Sequence, residues 1–106
     1  MDKRIKRKWI KALRSGEYAR TAGQLMQEGK RYDRFCAVGV LCDLMARETK
    51  GLYWEDGALY GDAFGPSGEV VLWADISLSE YDTVMHLNDV EGKSFKKIAD
   101  FIEVYL

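Results

Sequence analysis

The chain has 106 residues, of which 47% are hydrophobic and 12% aromatic, and this composition suits one ordinary globular domain spanning residues 1–106. Its longest uncharged apolar stretch, residues 35–42, is well short of the ~20 residues of a membrane-spanning helix, so we expect no membrane segment. The net charge of −1 conceals an asymmetry: residues 1–34 carry eleven Lys and Arg against four Asp and Glu, and residues 35–106 carry five against thirteen. This imbalance is explained by an anionic partner for the basic third, by contact between the two halves, or by charges that simply solvate two surfaces.

The first element is a basic amphipathic helix. Asp2 is its predicted N-cap, and Gly16 can take the left-handed conformation that ends a helix. Its apolar stripe consists of Ile5, Trp9, Ala12 and Leu13. Because charges continue through Lys11 and Arg14, the segment lacks the apolar middle of a secretory signal. We therefore expect a cytoplasmic protein.

Residues 19–35 favour two short strands joined by a turn at 28–30, with Leu25, Tyr32 and Phe35 pointing inward. A short helix over residues 24–27 is the alternative. A buried helix is predicted for residues 36–48, because apolar side chains recur there at helical spacing. They are Val38, Leu41, Cys42 and Met45.

The second half predicts one more hairpin and further helices. Residues 52–61, LYWEDGALYG, alternate around Asp56 and Gly57 as a two-residue hairpin turn requires. Three serines are predicted helix caps: Ser67, Ser79 (in a capping box with Asp82) and Ser94. The expected fold class is α+β: a single small helix-rich domain with about four helices and one or two short β-hairpins.

Cys36 is a candidate catalytic nucleophile. It lies near a predicted helix start, where the helix dipole lowers a thiol pKa. The order Cys36, His86, then Asn88 or Asp89 matches that of papain-like hydrolases, so a small cysteine hydrolase is one alternative. However, His86 and Asn88 are two residues apart and point in different directions on a helix, and the papain-like flanking motif is absent. We therefore favour packing roles for both cysteines and no enzyme activity.

A zinc site is not expected. Cys36 and Cys42 lie roughly 120° apart around a helix, and His86 is the single histidine of the chain. Structural zinc requires four such ligands, which are usually arranged in close pairs. No glycine-rich nucleotide motif is present either, so we expect neither a metal nor a cofactor.

Cations and aromatic residues suggest a binding role. The cations that can converge on phosphates are Lys8, Arg14, Arg20, Lys30, Arg31 and Arg34. The aromatic residues predicted to join them are Trp9, Tyr53, Trp54 and Tyr60. Nucleic-acid binding is a further alternative, since residues 90–103 are similar to the first helix of a helix-turn-helix. Only three residues follow them, too few for a recognition helix.

Three blocks of the chain, residues 8–18, 35–44 and 87–103, with residues 69–76 between them, resemble a group of short uncharacterised proteins of phages, prophages and other mobile elements. The chain departs from that pattern at Ala37, where a second cysteine is expected, which argues against a metal role. The resemblance implies a small accessory protein without an assigned activity. The predicted function is therefore binding of an acidic host protein or a phosphate-bearing small molecule through the basic N-terminal surface, with the oligomeric state left open.

Overall fold

A computed structural model describes residues 1–61 and 68–106, which form five helices and two small sheets. The helices are α1 (Lys3–Arg14), α2 (Ala37–Glu48), α3 (Gly68–Ala74), α4 (Leu78–Asp89) and α5 (Phe95–Tyr105). The strands are β1 (Ala19–Arg20), β2 (Met26–Gln27), β3 (Arg34–Phe35), β4 (Tyr53–Glu55) and β5 (Ala58–Tyr60). The α+β class is confirmed, with one helix more than expected.

Helix α1 begins and ends where the sequence predicts. The Asp2 side chain accepts a hydrogen bond from the Ile5 N–H, and Gly16 has a φ of 79° beyond the C-terminal end. The buried residues are Ile5, Trp9, Ile10 and Leu13, so Ile10 takes the core position predicted for Ala12, which is half-buried. This buried stripe packs against α2 and along α5.

The predicted hairpin within residues 19–35 is confirmed and extended by a third strand. Strands β2 and β3 pair antiparallel, while β1 pairs parallel with the other side of β3. Met26 and Phe35 are buried, but Tyr32 is 56% exposed, so its predicted inward orientation is wrong. Residues 24–27 do not form the alternative helix.

Strands β4 and β5 form the second predicted hairpin. Asp56 and Gly57 have φ values of 50° and 77°, as a type I′ turn requires at both central positions. A Cβ added at Gly57 would lie 2.7 Å from the Met26 carbonyl oxygen. The tip of this hairpin therefore rests against β2.

Helix α2 is the centre of the core. Seven of its residues are buried, and it contacts α1, α3, α4 and β3. Its first turn packs closely against the backbone of Leu25: a Cβ added at Gly39 would lie 1.9 Å from the Leu25 carbonyl oxygen. This glycine is therefore required by the backbone contact.

The caps of the last two helices test the sequence predictions directly. Ser94 caps α5 as predicted. Helix α4 is capped by Ser77 in a capping box with Glu80, so the prediction of Ser79 with Asp82 is wrong. The predicted cap Ser67 lies outside the described residues. None of the described helices combines the length and apolar character needed to cross a membrane.

Candidate functional site

The N-terminal end of α2 holds Cys36, the residue considered for catalysis. Its side chain is the N-cap: Sγ accepts a hydrogen bond from the Gly39 N–H at 3.2 Å. Cys36 is fully buried, and this desolvation raises its pKa to about 11. The predicted lowering of the pKa by the helix dipole is wrong, because burial outweighs it. Burial likewise raises the pKa of Cys42 to about 12.

Asn88 joins three segments at the same end of α2. Its Oδ1 accepts from the Ala37 N–H at 3.2 Å, and its Nδ2 donates to the Thr21 carbonyl at 2.9 Å and to Asp89 Oδ1 at 2.7 Å. Asn88 is fully buried. Its amide group is therefore used for internal hydrogen bonding, which is a structural role.

His86 and Trp9 also differ from their predicted roles. The His86 side chain is 57% exposed, and its Nε2 lies 3.6 Å from a Glu91 carboxylate oxygen. Among the described residues, no hydrogen bond joins this exposed imidazole to the buried Cys36 thiol. Trp9 is fully buried and donates from Nε1 to the Ala37 carbonyl at 2.9 Å, so its predicted place in a binding surface is wrong.

The solvent side of α1 is a cationic face. We use this name for its six exposed positions, which are Lys3, Arg4, Arg7, Lys8, Lys11 and Arg14. One edge of the face is paired with α2, where Arg4 lies 2.9 Å from Glu48 and Lys8 contacts the same carboxylate. These hydrogen bonds, that of Arg4 first, lower the pKa of Glu48 to about 2.

The other edge of the cationic face is paired with α5. Arg14 lies 2.8 Å from Asp100 and 2.9 Å from Glu103. The central stripe, which consists of Lys3, Arg7 and Lys11 at i, i+4 and i+8, is different. Among the described residues, none of these three forms a salt bridge.

The other predicted cations contact different partners. The Arg20 guanidinium donates to the Asn88 carbonyl at the end of α4, and its buried Nε has no hydrogen-bond partner among residues 1–61 and 68–106. Arg34 lies over the Tyr32 ring at 5.6 Å, and Lys30 and Arg31 are exposed between β2 and β3. The predicted cations thus lie on several elements of the described chain, and those with contacts have different partners.

The predicted aromatic group is divided as well. Tyr53 and Tyr60 form an exposed cross-strand pair with ring centroids 6.1 Å apart. Trp54 is half-buried on the opposite face of the hairpin, edge-on to Phe35 at 5.7 Å. Only the two tyrosines remain available for stacking.

A carboxylate that sequence reasoning missed organises the C-terminal half of α2. Asp43 accepts hydrogen bonds from the Tyr18 hydroxyl and from Trp54 Nε1, the latter at 3.0 Å, and its Oδ2 lies 3.2 Å from Arg47 Nε. The Arg47 guanidinium also lies 5.7 Å from the centroid of the Tyr18 ring. Burial, followed by the bond to Asp43, raises the pKa of Tyr18. The i, i+4 spacing of Asp43 and Arg47 on a mostly apolar helix was the available signal.

Two open grooves flank the C-terminal half of α1. The α1–α2 groove has a volume of about 220 Å³ and is lined by Lys8, Lys11, Ala12, Ser15, Glu17, Tyr18, Leu44 and Arg47. The α1–α5 groove, of about 480 Å³, is lined by Arg7, Ile10, Lys11, Arg14, Ser15 and Glu103. Lys11 lines both grooves, so it stands on the ridge between them. Among the described residues, no group of three or more His, Cys, Asp or Glu is arranged to hold a metal ion.

Comparison with known proteins assigns the chain to a family whose role is open. The family model for a domain of unknown function, DUF8296, matches residues 1–80, about three quarters of the chain, which therefore belongs to this family. The matched part contains the cationic face and Asp43 with its partners Tyr18, Arg47 and Trp54. No curated protein and no solved structure matches the chain.

Proposed function

We propose that this member of the DUF8296 family is a binding domain whose cationic face holds an anionic partner. The observation that carries the proposal is the central stripe of α1. Lys3, Arg7 and Lys11 are exposed, lie in one row and form no salt bridge within the described residues. Three aligned cations that form no salt bridge with the described residues favour attraction of an anion over complete neutralisation within the fold.

The paired edges support the same proposal. Glu48 holds Arg4 and Lys8 on one side, and Asp100 and Glu103 hold Arg14 on the other. The edges of the face contact acidic residues of the second half of the chain, and its centre faces solvent. We propose that this centre meets a partner and does more than solvate the surface. The partner then meets a narrow row of charge between two grooves.

The partner is proposed to be an acidic protein surface or a phosphate-bearing small molecule. Both present several negative charges, which a row of lysine and arginine recognises. The resemblance to short phage and mobile-element proteins favours action by binding in the cytoplasm of a bacterial cell. Blocking a host protein and sequestering a small ligand both fit that setting.

The proposal is tested with a triple variant, Lys3→Gln, Arg7→Gln and Lys11→Gln. A fluorescent 12-residue glutamate-rich peptide is titrated with wild type at low salt and followed by anisotropy. We expect at least about tenfold weaker binding by the variant, because three charge contacts are lost. The matched control, Lys50→Gln, Lys96→Gln and Lys97→Gln, changes the net charge equally at other exposed positions and should bind within about twofold of wild type.

Two results would count against the proposal. Equal losses in the two triple variants would show that net charge alone matters. A single-stranded oligonucleotide that binds far more tightly than the peptide, with a steep salt dependence, would instead favour the nucleic-acid alternative.

A further inference from the structure

We propose that the α1–α2 groove binds the phosphate group of a small phosphomonoester, with Arg47 as its principal ligand and Lys11 as its second. This inference deepens the proposed function and rests on it, since Lys11 belongs to the cationic face. Arg47 lies outside that face and was not among the residues that the sequence suggested. Both residues line the groove.

One ion pair orients the Arg47 side chain, which is 66% exposed, before any ligand arrives. Its Nε lies 3.2 Å from Asp43, whose side chain is 14% exposed and also accepts from Tyr18 and Trp54. An arginine carries five N–H donors, and the contact with Asp43 is made through Nε. The remaining donors form the planar fork that matches two phosphate oxygens. A carboxylate that fixes a functional arginine lowers the entropy lost on binding.

The lining of the groove is mainly cationic: it includes Lys8, Lys11 and Arg47 and one carboxylate, Glu17. Lys8 is also paired with Glu48 and Arg47 with Asp43, so Lys11 is the lining cation without a salt bridge to the described residues. A phosphomonoester carries roughly 1.5 to 2 negative charges at neutral pH. A phosphodiester carries one, so the groove should prefer the monoester.

The groove is small and open, so its size sets how much of a ligand it can cover. Its volume of about 220 Å³ is below the roughly 300–1,000 Å³ typical of drug-sized ligand sites. A phosphate with a short apolar substituent is thus a better match than a whole nucleotide. Ala12 and Leu44 line the groove and can contact such a substituent.

The test titrates phenyl phosphate into wild type, Arg47→Gln, Arg47→Lys and Arg31→Gln, followed by calorimetry. Arg47→Gln should weaken binding at least about tenfold, since a charged hydrogen-bonding group is lost. The affinity of Arg47→Lys for phenyl phosphate should lie between those of wild type and Arg47→Gln, because lysine keeps the positive charge but lacks the planar fork of donors. Arg31→Gln removes an exposed arginine between β2 and β3 and should bind within about twofold of wild type.

Ligand variation adds a second, independent measurement. Diphenyl phosphate should bind at least about tenfold more weakly than phenyl phosphate, because it carries less charge. Tighter binding of a phosphoserine octapeptide that also requires Arg47 would support the site and assign the phosphate to a modified protein. Equal binding by Arg47→Gln and Arg31→Gln, both with wild-type thermal melting, would overturn the inference. Lys11→Gln, which alters no paired residue, repeats the test if Arg47→Gln fails to fold.

Failure of this site and failure of the proposed function give different results. If phenyl phosphate does not bind while the glutamate-rich peptide still requires the central stripe, the phosphate site is wrong and the cationic face stands. If phenyl phosphate binding requires Arg47 while the triple variant of the central stripe binds the peptide as tightly as wild type, the phosphate site stands and the wider proposal is wrong.

Discussion

The two ends of α2 use polar groups in opposite ways. At the N-terminal end, Cys36, Asn88 and the Trp9 indole are fully buried and directed at backbone groups of the fold. At the C-terminal end, Arg47 and Glu48 lie at the surface, where they meet Asp43 and the cations of α1. The first end contains the residues that look catalytic in the sequence, and the second contains the stronger candidate for binding.

This difference follows from how buried polar groups are satisfied. A buried amide or thiol without a partner is costly, so the fold surrounds it with internal donors and acceptors. Once these are in place, little hydrogen-bonding capacity is left for a ligand. At the surface, water can replace a missing partner, and charged groups can remain available. Reactive residue types at a helix end therefore indicate function only when their hydrogen-bonding capacity is not already used.

The largest effect should come from the buried end, in Asn88→Ala. The substitution leaves the Ala37 N–H and the Thr21 carbonyl without their side-chain partner. We expect a loss of about 3 kcal/mol in the free energy of unfolding, measured by urea denaturation. His86→Ala, an exposed neighbour on the same helix, should change it by less than about 0.5 kcal/mol. Similar losses in the two variants would break the contrast drawn between the ends of α2.

The next effect concerns the Cys36 thiol. Its pKa rises from 9.0 to about 11 in the folded chain, so about a hundredfold less thiolate is present near neutral pH than in the unfolded chain. Iodoacetamide should therefore label Cys36 at least about a hundredfold more slowly in the native protein than in urea. Peptide mass spectrometry measures the two rates. Native labelling as fast as that in urea would show an accessible, reactive thiol and revive the hydrolase alternative.

The smallest effect should come from the surface end, in Glu48→Gln. Because the pKa of Glu48 falls from 4.5 to about 2 on folding, its pairing stabilises the native state fully above about pH 4.5. That stabilisation is lost as the pH falls toward 2. We expect Glu48→Gln to cost at most about 1 kcal/mol at pH 7, where both pairs are exposed to solvent, and almost nothing at pH 2. A cost that does not depend on pH would mean that Glu48 acts by packing.

Local patterns in the sequence predicted much of the fold. The features that were predicted correctly depend on residues within a few positions of one another. They are the Asp56–Gly57 turn, the Asp2 and Ser94 caps and the α2 helix. The error at α4 has a local cause too. Ser77 and Ser79 are each followed three positions later by an acidic residue, so the capping rule alone does not choose between them. The glutamate of the Ser77 box, which suits this role better than aspartate, was the signal that favoured it.

The candidate site depended on contacts that no local pattern contains. Arg14 meets α5 residues 86 and 89 positions away, and Arg4 meets Glu48 44 positions away. Charge counts predicted a basic region, but tertiary packing decides which cations are neutralised. The parallel pairing of β1 with β3 was missed for the same reason, since a two-residue strand has no periodicity of its own.

Asp43 connects the groove to a tryptophan, because its carboxylate contacts both Arg47 and Trp54. Because the Trp54 indole donates to the same side chain that anchors Arg47, a ligand that draws the guanidinium toward itself alters the polarity around a natural fluorophore. If the groove binds the proposed phosphomonoester, we expect a shift in the emission of Trp54, one of the three tryptophans of the chain. No dye or tag has to be attached to read it.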